Sequence, residues 1–366
     1  GVTNVNVNEK EGQKGQRRHR GQRGEGIKIF CLASLAFVTL PLQADPIFIP
    51  SYSVEEALAL PSSREMAVDL LWQAWKGLDV AERGKTGLVL SGGGARGMAH
   101  IGVLRHLEEI GFPIDAVAGV SMGALVGGVY ASGVSITKLE AMAQEVGLGR
   151  FSQLTKATFL TLALSDGMAP TKQFQKWLHH ATGGKTFAQA RIPMIAGATD
   201  LASGDLVLLR QGPIAPAIMA AATVPGLFEP VAIRQHFLVD GGVAYNVPTE
   251  AVRLLGAQNV LVVDVSARGH GEIMARPPSA LRALYRSIEI QGNRLEETTA
   301  TPADYILKFY PAGIEIFEFW RWREAWEEGR RAARSGSQEI KLAFVAKTIR
   351  DKGSRFFDHR QTALKR

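Results

Sequence analysis

The 366-residue chain is 46% hydrophobic and 21% charged, which supplies enough apolar material for a sizeable core and excludes wholesale disorder. Its single cysteine excludes an intramolecular disulfide framework and any multi-cysteine metal site, and its 39 glycines follow no repeat period. Seven basic and three acidic side chains in residues 1–28 account for +4 of the net charge of +7, so 45–366 is only mildly basic and a nucleic-acid partner is not expected.

The uncharged run 29–42 is too short to span a bilayer as a helix, but it fits the apolar region of a signal peptide. A basic segment precedes it, and Gln43-Ala44 offers a small residue for cleavage before Asp45. Residues 1–44 are therefore expected to be an export segment, leading to a periplasmic or secreted and membrane-associated protein; Cys31 would be removed with it. Residues 45–85 read as a helical extension, with Ser53 and Glu56 spaced as a capping box and Met66, Leu70, Leu71 and Ala74 at helical spacing.

From Thr86 the pattern changes to short apolar runs that end in glycine-rich turns and lead into helices. Strands are expected at 86–90, 116–120, 194–199, 207–210, 231–233, 237–239 and 260–265, with helices at 98–110 and 122–131. This alternation argues for an α/β fold with a largely parallel sheet covered by helices on both faces. Residues 135–190 are more polar and helical and read as a cap or substrate-facing insertion. Helices return at 278–297 and 321–350, followed by a polar tail. The aromatic stretch 317–326 is either core packing or a lipid-facing surface.

Three turns carry chemistry. Ser91-Gly92-Gly93-Gly94-Ala95-Arg96-Gly97 lies between a strand and a helix, where glycine amides can approach an anion. Its GxGxxG spacing also matches a dinucleotide fingerprint. That reading needs an acidic residue closing the second strand, and Asp115 precedes the strand instead. Gly119-Val120-Ser121-Met122-Gly123 has the GxSxG form of a nucleophile elbow, with small residues Ala124, Gly127 and Gly128 in the helix after it. Leu238-Val239-Asp240-Gly241-Gly242 delivers a carboxylate into a glycine turn, which alone is a common turn sequence. Together they fit one reaction. Ser121 attacks an acyl carbonyl, Asp240 takes its proton, and the Gly93 and Gly94 amides bind the oxyanion, with Arg96 lending charge or fixing the loop.

In this order and spacing the three motifs resemble the patatin-like phospholipase family, with similarity from about Gly87 to Tyr310. It includes Ala198-Thr199-Asp200-Leu201, Pro225-Gly226-Leu227-Phe228-Glu229-Pro230 and Ala303-Asp304-Tyr305-Ile306. The resemblance implies a three-layer α/β/α fold with a nucleophile elbow and helical insertions, over a catalytic domain at 86–310. It implies a lipid acyl hydrolase acting on phospholipid or lysophospholipid through a Ser121–Asp240 dyad. It also implies that the loop with Gly92, Gly93, Gly94 and Arg96 is the oxyanion hole, supported by Gly97, Gly119, Gly123, Gly241 and Gly242. Ala221 departs from the pattern, because relatives often have serine there. Residues 311–366 show no strand alternation of the kind a membrane barrel needs.

Two alternatives stay open: a catalytically silent lipid-binding protein of the same fold, and a carboxylesterase with a Ser-Asp-His triad. Only His270 and His359 follow Asp240, in a loop and in the polar tail, which favours the dyad. His236, His100, His106, His179 and His180 read as structural or solvated. Asp200 and Asp205 flank a hairpin-like turn, and Asp264 ends a strand; none clusters with histidines, so neither a metal nor another cofactor is expected. Membrane contact would rest on apolar surface more than on charge.

Overall fold

The structure, a computed structural model, describes residues 63–147, 171–266, 280–299, 302–311 and 313–352. The expected export segment, Ser53 and Glu56, His270 and His359 lie outside them. The first elements are helix α1 (Ser63–Lys76) and the short helix α2 (Val80–Arg83). Strand β1 (Thr86–Leu90), a 3-10 turn (Gly94–Met98), α3 (Ala99–Glu109), β2 (Ala116–Val120) and α4 (Met122–Ala131) follow. Helices α5 (Ile136–Gly147) and α6 (Thr171–Ala181) precede the hairpin of β3 (Met194–Asp200) and β4 (Leu206–Leu209). Next come α7 (Ile214–Ala221), β5 (Val231–Ile233), β6 (His236–Asp240), α8 (Thr249–Leu254) and β7 (Asn259–Asp264). The last elements are α9 (Ala280–Thr299), β8 (Tyr305–Lys308), α10 (Trp322–Ser335) and α11 (Ser337–Lys352).

All eight strands form one sheet in the order β5-β6-β3-β2-β1-β7-β8, with β4 paired to β3 off that path. From β3 to β8 the neighbours are parallel, and β4, β6 and β5 form the antiparallel margin. β1, β2, β3 and β7 are buried along their whole length, which is why they read as continuous apolar runs rather than alternating ones. β8 was not legible this way, since only Leu307 of its four residues is buried.

The helices at the two ends of the described chain join the main core. Trp72 and Trp75 of α1 stack at 4.9 Å, and the Trp75 ring N–H donates to Thr348 of α11 at 2.8 Å. The helix expected from the spacing of Met66 and Leu70 is present, but these two side chains are 50% and 62% exposed, while Val68, Trp72 and Trp75 are buried. The expected single helix over 321–350 is two, broken at Gly336 (φ −85°, ψ 5°) between Ser335 and Ser337.

α10 crosses α3 at backbone contact. A Cβ added to Gly102 would collide with the Trp326 carbonyl, and one added to Gly329 with the Ala99 carbonyl. Gly329→Val is therefore expected to lower stability by about 3 kcal/mol, read from the denaturant midpoint. A loss under about 0.5 kcal/mol, the range of neutral surface changes, would mean that α10 does not dock as described.

Candidate active site

β2 ends at Val120 and hands the chain to α4 through Ser121, whose backbone sits at φ 54°, ψ −127°. Side-chain-bearing residues rarely adopt that conformation, which costs on the order of 1–3 kcal/mol. The flanking glycines make the turn possible: a Cβ on Gly119 would run into the Gly123 backbone, and one on Gly123 into the Leu90 carbonyl. The Ser121 amide donates to the Ala221 carbonyl at 2.9 Å, so the position lacking a serine hydroxyl still holds the elbow through its backbone.

Strand register brings the carboxylate to the serine. Val120 pairs with Gly197 on β3, and the next β3 residue, Ala198, pairs with Asp240 on β6. The Ser121 hydroxyl donates to Asp240 Oδ2 at 2.5 Å. The Gly242 amide donates to Asp240 Oδ1 at 2.8 Å, and Thr199 donates to the Asp240 carbonyl at 2.9 Å. Asp240 is 3% exposed. Loss of water pushes its carboxyl up to about 6, against the two hydrogen bonds that favour the charged form. A carboxylate with that affinity for protons is a better base toward a serine hydroxyl than an ordinary one.

The glycine loop is more differentiated than its sequence. The Gly92 amide donates to Asn246 Oδ1 at 3.1 Å, which corrects the expectation that Gly92 contributes an oxyanion donor. The amides of Gly93 and Gly94 have no acceptor among the described residues, and Gly93 lines the cleft with Ser121 and Asp240. Arg96 is fully buried, pairs with Glu289 of α9 and lies 5.2 Å above the Tyr310 ring. Of the two roles open to it, this geometry favours fixing the loop. His100 is buried beneath the loop and held neutral, its proton affinity pushed down to about 4 by burial, and its ring Nε2 bonds the Ser91 carbonyl at 2.9 Å.

Other candidates fall away from the centre. His236 pairs with Asp200 at 2.9 Å beside the β3–β4 hairpin, and Asp264 accepts from the Ser266 amide at 2.9 Å while facing Lys308. His106 lies against Glu109. None of these reaches Ser121.

Ser121 separates two spaces. On one side is the cleft with Asp240, Gly242 and Asn246. On the other is an apolar cavity of about 150 Å³. Its walls include Leu139 and Met142 of α5 and Phe174 and Trp177 of α6, with Phe174 also stacked on Phe228 at 5.7 Å. Phe317 and Phe319 line the same cavity, whereas Trp322 is buried and Trp320 exposed. Tyr285 and Ile316 border both spaces. Tyr285, Asn246 and Glu289 were not legible as site residues, because each reaches the centre from a distant element without a local motif.

Comparison with known proteins places residues 88–253 in a match to the family model described as Patatin-like phospholipase. A patatin-like phospholipase domain-containing protein of Caenorhabditis elegans, ZK370.4, is 37% identical over 183 residues, 50% of this chain and 14% of that protein. Patatin-like phospholipase domain-containing protein 6 of Homo sapiens is 31% identical over 188 residues, 51% of this chain and 14% of that protein. Lysophospholipase NTE1 of Cryptococcus neoformans is 33% identical over 185 residues, 50% of this chain and 11% of that protein. The chain thus spans about one seventh or less of the length of these relatives.

Proposed function

We propose that this chain, through its patatin-like region, hydrolyses lipid carboxylic esters of the phospholipid or lysophospholipid type by way of an acyl-Ser121 intermediate. The observation that carries the reading is the Ser121–Asp240 hydrogen bond of 2.5 Å, made by a buried carboxylate at the mouth of an apolar cavity. The similarity of residues 88–253 to patatin-like phospholipases and of half the chain to a lysophospholipase supports it.

In this mechanism the acyl chain enters the apolar cavity and the ester carbonyl faces Gly93 and Gly94. Asp240 takes the Ser121 proton as Oγ bonds to the acyl carbon, and the two amides receive the oxyanion. Such a donor typically contributes on the order of 3 kcal/mol. The protonated Asp240 then gives its proton to the departing alcohol. Water repeats the cycle on the acyl-enzyme with Asp240 again as base.

Contact with a lipid surface belongs to the same reading. Leu201 and Phe237 are exposed neighbours, joined by the Leu201 amide to the Phe237 carbonyl at 3.0 Å, beyond the Asp240 register on β3 and β6. Among the described residues no helix is long and apolar enough to cross a membrane.

Incubation with lysophosphatidylcholine is expected to release fatty acid, and p-nitrophenyl butyrate to release p-nitrophenol. Lipid binding without release from either would favour the silent binding protein. The triad reading is tested by replacing His270 and His359 together with alanine. Activity is expected to stay within about threefold, and a loss in kcat beyond about a hundredfold would favour a histidine base instead.

A further inference from the structure

Helix α9 lies outside residues 88–253, the part that matches the family model, yet it forms one wall of the catalytic cleft. Tyr285, Ile288, Glu289 and Gly292 line that cleft, at the i, i+3, i+4 and i+7 spacing of a single helical face. Leu284 and Ile290, outside that face, are exposed. Two contacts hold the inner face in register. Glu289 pairs with the buried Arg96 of the glycine loop, and Gly292 packs close to the Gly242 carbonyl, beside the amide that holds Asp240. The Tyr285 ring is fixed edge-on against Phe317, centroids 5.6 Å apart at 69°.

That placement makes Tyr285 and Ser121 joint lining residues of both the cleft and the apolar cavity, with the Tyr285 hydroxyl within reach of Ser121, Asp240 and Arg96. The Ser121 proton is already given to Asp240 Oδ2, so what Ser121 offers a further partner is an Oγ lone pair. A phenol fits this task. Burial and the nearby Asp240 carboxylate raise its proton affinity well above the usual phenol range, so it stays a neutral donor wherever Asp240 is ionised.

We propose that Tyr285 is a catalytic residue that donates a hydrogen bond to Ser121 Oγ and stabilises that oxygen while it carries negative charge. The assignment rests on Ser121 being the nucleophile. In acylation the Oγ–H bond breaks, the proton passes to Asp240 Oδ2, and Oγ bonds to the acyl carbon. The alcohol leaves with the proton from Asp240. In deacylation water gives its proton to Asp240 and attacks the acyl carbon; Oγ leaves and recovers a proton from Asp240. Tyr285 keeps its own proton throughout. Its hydrogen bond strengthens in both steps when the proton has left Oγ, in the first as Oγ attacks and in the second as it departs. Being rooted in α9, the donor is held over the cleft by the Arg96–Glu289 pair, the Gly292–Gly242 approach and the Phe317 ring.

Tyr285→Phe removes the hydroxyl and keeps the ring against Phe317. With p-nitrophenyl butyrate it is expected to lower kcat about 10- to 100-fold with KM within twofold, the size of one hydrogen bond to a charged oxygen. Fluorophosphonate labelling of Ser121 is expected to slow by a similar factor. A fall in kcat of fivefold or more with KM so preserved supports the assignment. A smaller fall, or a loss confined to KM, overturns it and leaves Tyr285 as a packing residue. Should Tyr285→Phe not fold, as judged by its melting transition, Tyr285→Met gives the same readout. Ser121→Ala measured in parallel separates the two ideas: full activity in it removes the nucleophile itself, whereas an inactive Ser121→Ala beside an unaffected Tyr285→Phe removes only Tyr285.

Discussion

Ser121→Ala is expected to lower kcat for ester hydrolysis by on the order of 10⁴- to 10⁶-fold and to abolish fluorophosphonate labelling. Every chemical step passes through this oxygen, and among the described residues no second nucleophile lines the cleft in contact with Asp240. The same position makes an opposite prediction for stability. Alanine keeps the Cβ and hence the strain at φ 54°, whereas glycine adopts that backbone freely. Ser121→Gly should therefore be more stable than Ser121→Ala by about 1 kcal/mol, the strain relieved less the extra chain entropy of glycine. Equal melting temperatures for the two variants would mean that the elbow is not strained, and retained hydrolysis in Ser121→Ala would move the nucleophile elsewhere.

Asp240→Asn is the second large effect, with a fall in kcat on the order of 10³-fold or more, because the amide cannot accept the serine proton. The wild-type enzyme should itself report this group. With the carboxyl pushed up to about 6, kcat/KM should rise with pH through about 6 and then level off. Stability should move the other way. The folded protein holds this proton more tightly than the unfolded chain, whose carboxyl titrates near 3.8. The contribution is therefore full below about 4 and is lost as pH rises through about 6. Two pKa units correspond to about 3 kcal/mol of destabilisation above that range. Asp240→Asn lacks this penalty, so its melting temperature should gain on the wild type between pH 4 and pH 7.5. A constant difference across that range would show that Asp240 is not held in a desolvated site.

Much of the catalytic centre is legible in the sequence because its geometry is local. A strand, a glycine and a helix start define where Ser121 points, and the turn after β6 does the same for Asp240. The central strands were equally readable, since β1 and β2 are buried on both faces and carry unbroken apolar runs. What failed was non-local. Gly92 has the same local setting as Gly93, and only the arrival of Asn246 from 154 residues away occupies its amide. Tyr285 sits in a helix whose pattern gives no hint that one side faces Ser121. The spacing of Met66 and Leu70 marks α1 as a helix, while the tryptophans that meet α11 decide which side is buried.

The apolar cavity beside Ser121 fits an acyl chain, and the central claim is that an acyl group carried there becomes covalently attached. Rapid mixing with p-nitrophenyl butyrate, acid quenching and peptide mass mapping measure this directly. With deacylation the slower step, the expected result is a burst of p-nitrophenol approaching one equivalent together with a butyryl group on the peptide containing Ser121. Trapping should be enriched when Asp240 is replaced by asparagine only to the extent that acylation survives. A burst with no acyl group on that peptide, or the group on another residue, would contradict that claim.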